Sequence, residues 1–219
     1  MEILYEDRRV IVAVKPSGVL SVDEPGGMPD LIRDYLGDEK ACVRTVHRLD
    51  RVVGGLMVFA RSREASRILS QQVRERTFHK VYLAIVHGIP ENKEATCRDL
   101  LLRDKESRMT SVTNQVGPGV QEAILRYKLL ETVDRMSLLR IELETGRTHQ
   151  IRVQLSSRGM PIVGDKRYGI LDDAETIALW SAGISFIHPQ TGERMSFSTL
   201  PPSAYPWNQG FGIDQTHLL

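Results

Sequence analysis

The apolar positions change period along the chain, and each change marks an element. Val10-Ile11-Val12-Ala13-Val14 is a mostly β-branched run stopped by Lys15-Pro16-Ser17-Gly18, a pattern that predicts a strand entering a turn. After the turn-rich Asp23-Glu24-Pro25-Gly26-Gly27, Pro29 and Asp30 start a helix whose apolar face is Leu31, Ile32, Tyr35 and Leu36, with Gly37 as its stop. Gly55 to Ala60 is an unbroken apolar run and predicts a buried strand. Ser62 then caps a helix with Ala65, Ile68, Leu69 and Val73 at helical spacing. Strand character returns over residues 80–87 and at Leu139, Ile141 and Leu143, which alternate with charged residues.

The remaining segments are less regular. Residues 103–119 are polar, end in Gly117-Pro118-Gly119 and predict a surface excursion. Thr148 is a candidate cap for a helix running to Arg158, with Gly159 and Pro161 as its stop, although Ile151, Val153 and Leu155 also fit a strand. Strands and helices are mixed without a βαβ rhythm, which predicts an α+β fold with a mixed, mostly antiparallel sheet. The expected organisation is one domain over residues 1–205 and a C-terminal tail over 206–219, rich in Pro, Gly and polar residues.

Composition narrows the class. With 219 residues, 41% hydrophobic and 26% charged, the chain suits a globular domain and argues against disorder, collagen-like repeats and coiled coil. Cys42 and Cys97 belong to no CxxC pair, so neither a zinc site nor a disulfide framework is expected, and no apolar run approaches membrane-spanning length. A monomer in the cytoplasm is the expectation. The net charge of +1 conceals a contrast: residues 40–80 carry ten Lys and Arg against three Asp and Glu, a local +7. Such a region could hold a polyanion through phosphate neutralisation, although arginines on a helix can equally form a solvated face.

Three segments combine polar groups and turns beyond what packing demands. In His47-Arg48-Leu49-Asp50-Arg51 a carboxylate stands among cations that keep it ionised, as a nucleophile or base requires; a salt bridge at a strand start is the alternative. Tyr82 stands in an apolar strand and offers a flat face for a nucleobase, though a strand tyrosine is more often core. In Thr145-Gly146-Arg147-Thr148-His149-Gln150-Ile151-Arg152, the glycine turn delivers Arg147, whose guanidinium can clamp a carboxylate or phosphate. No metal site is expected, because His149 has no second ligand three or four residues away, and there is no Walker A loop or GxGxxG after a strand.

In this order the three segments resemble the signature blocks of the RluA-type pseudouridine synthases, RNA uridine isomerases. Lys15-Pro16-Ser17-Gly18, Pro161-Ile162-Val163-Gly164-Asp165 with Tyr168-Gly169, and His188-Pro189 with Thr191-Gly192 extend the likeness over residues 3 to 200. The resemblance implies the pseudouridine synthase fold with a central catalytic cleft and no cofactor. The implied partner is a stem-loop of ribosomal or transfer RNA, not DNA or a membrane. It implies Asp50 as catalytic carboxylate, Arg147 as the arginine pairing with it, Tyr82 against the target base, Ile151 as an apolar wall and Arg48 in the space left by a flipped nucleotide. The chain enters the pattern almost at once, so a member without the N-terminal S4 domain is expected.

Three departures stand out: Val53-Gly54-Gly55 where the family often has Thr-Ser-Gly, Ala123-Ile124-Leu125-Arg126-Tyr127 where Ala-x-Thr-x-Tyr is usual, and Leu179-Trp180-Ser181 where Leu-His-Ala is common. Two rival functions are a non-catalytic RNA-binding or ribosome-assembly protein on the same fold, and a carboxylate glycosidase. The second needs another acid opposite Asp50, which no motif supplies.

Overall fold

The structure is a computed structural model that describes residues 1–218. In chain order its elements are β1 (Glu2–Glu6), β2 (Val10–Lys15), α1 (Met28–Leu36), β3 (Arg44–Thr45), β4 (Gly54–Ala60), α2 (Arg63–Arg74), β5 (His79–His87) and β6 (Glu94–Arg103). There follow β7 (Thr110–Thr113), β8 (Val120–Val133), β9 (Met136–Leu143), α3 (Gln150–Ser156), β10 (Leu179–Ile187), β11 (Arg194–Ser198) and a final 3-10 turn, Gln215–His217. The architecture is α+β. Contacts divide the chain into two compact units: residues 1–81, 180–201 and 218 in the first, residues 82–179 and 202–217 in the second.

In the first unit, β2 pairs antiparallel with β1 and with β4, and β10 pairs parallel with β4 and antiparallel with β11. The β-branched run 10–14 lies in the middle of this arrangement, where Val10 to Ala13 have no exposed surface. One core joins Val10, Val12, Leu56 and Val58 to Ala65 and Leu69 of α2 and to Phe78, Ile184 and Phe186. Ser62 caps α2 as its sequence predicts, its hydroxyl accepting the Ala65 N–H at 3.1 Å. Gln72, a polar residue on the buried face, is satisfied because its amide bonds both the N–H and the carbonyl of Ile187, each at 2.8 Å. α1 ends at Gly37, which takes the left-handed conformation with φ 64°.

The second unit is built on antiparallel pairings that give the order β7-β6-β8-β9. Here two expectations change. Residues 103–119 do not form a bare excursion, because Thr110–Thr113 pairs along β6 from Leu100 to Arg103; a backbone ladder supplied the order that the polar side chains did not advertise. Residues 206–217 are not a tail: Trp207 and Phe211 are buried, Gly212 N–H reaches Glu131 at 2.7 Å, and Arg140 holds the His217 carbonyl at 3.1 Å.

Two of the departures from the family pattern meet in the parallel pairing of β4 and β10, where Gly54 stands opposite Trp180 and Gly55 opposite Ser181. A Cβ on Gly54 would come within 2.4 Å of the Trp180 ring, which is itself pinned by an Nε1 bond to the Thr199 carbonyl at 3.2 Å. Gly55 has φ 115°, and a Cβ there would lie 2.3 Å from the Ser181 carbonyl oxygen. The indole at 180 therefore fits only because residue 54 has no side chain. Gly54→Ser should destabilise the protein by about 1–3 kcal/mol through overpacking. Adding Trp180→His should restore most of the loss; urea denaturation of the two single variants and the double variant measures the coupling.

Candidate active site

In the first unit, Asp50 and Arg48 lie on the loop between β3 and β4, Arg48 exposed and Asp50 half-buried. That loop is tied down at nearly every residue. The Ser21 hydroxyl donates to the Leu49 carbonyl at 2.7 Å and accepts the Leu49 N–H at 3.1 Å. Gly18 N–H donates to the Arg51 carbonyl at 2.8 Å, Arg51 Nε returns a bond to the Gly18 carbonyl at 2.8 Å, and Ser17 bonds the Val52 carbonyl at 2.7 Å. The partner of the Asp50 loop is thus the turn that follows β2.

The centre of this strap is Lys15. Its side chain has no exposed surface, and its ammonium donates to the carbonyls of Pro16, Val19 and Arg51 at 2.9, 2.6 and 3.0 Å. Three N–H donors meet three carbonyls, the full capacity of an ammonium. Burial pushes Lys15 down to about 8, with the charge of Asp50 opposing the shift and that of Arg51 adding to it. In the sequence Lys15 belongs to the Lys-Pro-Ser-Gly turn, and its role as a strap is not among the expectations. The available signal was a charged residue closing an apolar strand.

His47 anchors the same loop from the other side. It is buried, its Nε2 accepts the Val58 N–H at 3.2 Å, and its ring tilts against Phe78 at 5.3 Å. Burial, aided by the charge of Lys80, pushes it down to about 3, so it is neutral at physiological pH and serves as a hinge pin for the loop. Burial also pushes the Lys80 ammonium down.

In the second unit, Tyr82 is buried near the start of β5, and Arg147 and Ile151 lie at the turn into α3. The helix starts one residue later than its sequence suggests. Thr148 is not its cap; His149 occupies the N-cap in the left-handed conformation with φ 57°. Gln150 explains this placement. Its Oε1 accepts the Thr145 hydroxyl at 2.8 Å and the Arg147 N–H at 3.0 Å, and its Nε2 reaches the Ile124 carbonyl at 3.1 Å. The turn is held by a buried amide, and its left-handed residue is the histidine, not Gly146.

The two arginines of this segment differ. Arg147 is exposed and donates Nε to the Glu122 carbonyl at 2.9 Å. Arg152, which sequence reasoning did not select, is buried, donates Nε and Nη2 to Asp165 at 2.8 and 2.7 Å, and lies 5.1 Å from the centre of the Tyr168 ring. Burial alone would raise the Asp165 carboxyl; Arg152 and the N–H groups of Arg167 and Tyr168 outweigh it and hold the group below the usual carboxylate range. Tyr168 in turn bonds His149 Nδ1 at 2.7 Å. The Gly-Arg-Thr-His-Gln-Ile-Arg motif and the Asp165 to Tyr168 block are therefore one hydrogen-bonded assembly. Ile151 is buried on the same helix.

The family model for RNA pseudouridylate synthase matches residues 9–157. Among similar proteins, the RNA pseudouridine synthase YhcT of Bacillus subtilis (strain 168) is 35% identical over 205 residues, covering 88% of this chain and 66% of its own length. The dual-specificity RNA pseudouridine synthase RluA of Vibrio cholerae serotype O1 is 34% identical over 196 residues, covering 87% and 79%. Among solved structures, human RNA Pseudouridylate Synthase Domain Containing 1 aligns with TM-score 0.78 at 23% identity, over 92% of this chain and 84% of that one. That likeness concerns the fold.

Lys15→Met would take the donor from the Pro16 and Val19 carbonyls, while the Arg51 carbonyl keeps the Gly18 N–H, and each unmet buried acceptor costs roughly 1–3 kcal/mol. The variant should lose about 2–4 kcal/mol in urea denaturation, after relaxation of the loop. The pH dependence has a definite sign. The native ammonium sheds its proton at about 8 and the unfolded one near 10.4, so the unfolded state binds more protons in that interval. The Lys15 contribution therefore rises with pH between these values. The stability gap between wild type and Lys15→Met should widen from pH 8 to 10.

Proposed function

Because the chain belongs to the RNA pseudouridylate synthase family, we propose that it isomerises uridine to pseudouridine in structured ribosomal or transfer RNA, with Asp50 as its essential carboxylate. The observation that carries this reading is the loop that presents Asp50, fixed by the Lys15 strap within the segment matched by the family model. In this isomerisation the N1 to C1′ bond of the uridine breaks, the uracil turns, and C5 joins C1′. The C5 proton leaves and N1 gains one, so substrate and product have the same composition and no oxidant or nucleotide fuel is consumed. Attack on C1′, attack on C6 and proton abstraction to a glycal all need the carboxylate ionised.

Tyr82 is the ring against the uracil and the group near the C5 proton, Ile151 is the apolar wall of the base slot, and Arg48 fills the stack left by the extruded nucleotide. Extrusion costs a few kcal/mol, roughly, which a loop uridine largely avoids. We assign the guanidinium that pairs with the Asp50 carboxylate to Arg147, as the resemblance does.

Tritium release from 5-tritiated-uridine RNA tests both levels. Asp50→Asn should abolish release, a fall of roughly a thousandfold or more, while RNA binding persists; binding with no release from wild type would favour the non-catalytic rival. Arg147→Ala should depress kcat/KM by roughly tenfold or more, because the carboxylate loses its positive neighbour. Unchanged kcat/KM in that variant would overturn the assigned pairing.

A further inference from the structure

Helix α2 carries a feature that neither its packing nor the chemistry at Asp50 uses. Ala65, Leu69 and Gln72 face the core. On the opposite side, Arg63, Arg67, Ser70 and Arg74 recur at spacings of four, three and four, so on a wheel of 100° per residue they fall within about 60° of one another. All three arginines are exposed. The nearby acids lie off this line and are engaged elsewhere: Glu64 pairs with Arg9 at 3.2 Å, and Glu75 accepts from Gln71 at 2.7 Å.

A face that only needs solvation would be arranged differently. Opposite charges four residues apart would support the helix, yet the residue four after Arg63 is Arg67, a like-charged pair that costs stability. Arg63 is also the first helical residue, where the positive end of the helix dipole disfavours a cation. Two unfavourable placements on one line, with the acids turned aside, point to an anionic partner that compensates for them.

We propose that the stripe Arg63-Arg67-Ser70-Arg74 is a docking surface for RNA backbone, outside the base slot, on which successive phosphates of the substrate stem lie. It rests on the reading of the chain as an RNA uridine isomerase. The stripe spans about 16 Å along the helix axis, long enough to meet several phosphates of one strand. Its helix packs on β4, which begins four residues after Asp50 in the same unit. Guanidinium groups suit phosphate oxygens through paired N–H donors, and Ser70 adds a neutral donor between them. Such contacts carry no sequence information; they set affinity and register and leave the choice of uridine to the slot.

The test uses the full chain with transcripts of bacterial tRNA and large-subunit rRNA labelled with 5-tritiated uridine. Binding is followed by fluorescence anisotropy and turnover by tritium release, both over a range of salt. Combined Arg63→Gln, Arg67→Gln and Arg74→Gln should raise KM and Kd by roughly tenfold or more and reduce the slope of log affinity against log salt by about 2, with kcat at saturating RNA within about twofold of wild type. Each single substitution should reduce the slope by about 0.7–0.9, so the result does not hang on the triple variant. Arg→Lys at the three positions should retain the slope, since the charges remain. Unchanged affinity and slope in the glutamine variants, with active wild type, would overturn the stripe alone. Wild type that neither binds nor isomerises any of these RNAs would overturn the enzymatic reading and the stripe with it.

Discussion

A buried ammonium organises the first unit. Lys15 ends a strand that has every reason to be apolar, and instead of reaching solvent its side chain turns into the protein and meets three backbone carbonyls. A charge taken out of water is tolerated only when its donors are satisfied, and here the acceptors belong to the turn after β2 and to Arg51, the neighbour of Asp50. Removing any one carbonyl from its place would leave an unmet donor on a buried cation. The geometry of the Asp50 loop is therefore over-determined, with Ser17, Ser21 and His47 holding residues on both sides of the carboxylate. If Asp50 is the reacting group proposed above, a carboxylate held in this way needs little reorganisation when substrate arrives.

The second unit solves a similar problem with a buried amide and a buried ion pair. Gln150 closes the turn that carries Arg147, and the Arg152–Asp165 pair, joined to Tyr168 and His149, fixes the helix that carries Ile151. Breaking a buried ion pair is strongly destabilising because the remaining charge stays behind, so this assembly behaves as one piece. In the proposed function, rigid elements present the chemistry while the exposed arginines of α2 contact a long, highly charged substrate, so that affinity and chemistry are carried by different side chains.

The pairing of Gly54 with Trp180 shows how departures from a family pattern can be coupled. Each looks like a separate loss along the chain, a missing hydroxyl and a missing imidazole. In the parallel register they are opposite one another, and the absent side chain at 54 makes the space that the indole fills. A side chain at 54 opposite the indole would overpack the start of β4, four residues from the carboxylate, and a smaller residue at 180 opposite the glycine would leave a gap.

Much of this protein was legible in its sequence, because the signals are local. The β-branched run 10–14, the Ser62 cap, the glycine after α1 and the alternation near 139–143 each express a preference of a few neighbouring residues, and the structure follows them. The blocks around Asp50, Tyr82 and Arg147 were legible as a family signature for the same reason, and the family model matches residues 9–157. What tertiary structure alone decided depends on partners distant in the chain. Lys15 became a strap only because the Arg51 carbonyl arrives beside it, and residues 110–113 became a strand because β6 offered a free edge. Residues 206–217 were drawn into the second unit by burial of Trp207 and Phe211, and His149 took a left-handed conformation because Gln150 binds backward to Thr145 and Ile124. Periodicity encodes which face of an element is apolar; it does not encode which backbone groups will meet, because those hydrogen bonds exist only after the elements have packed.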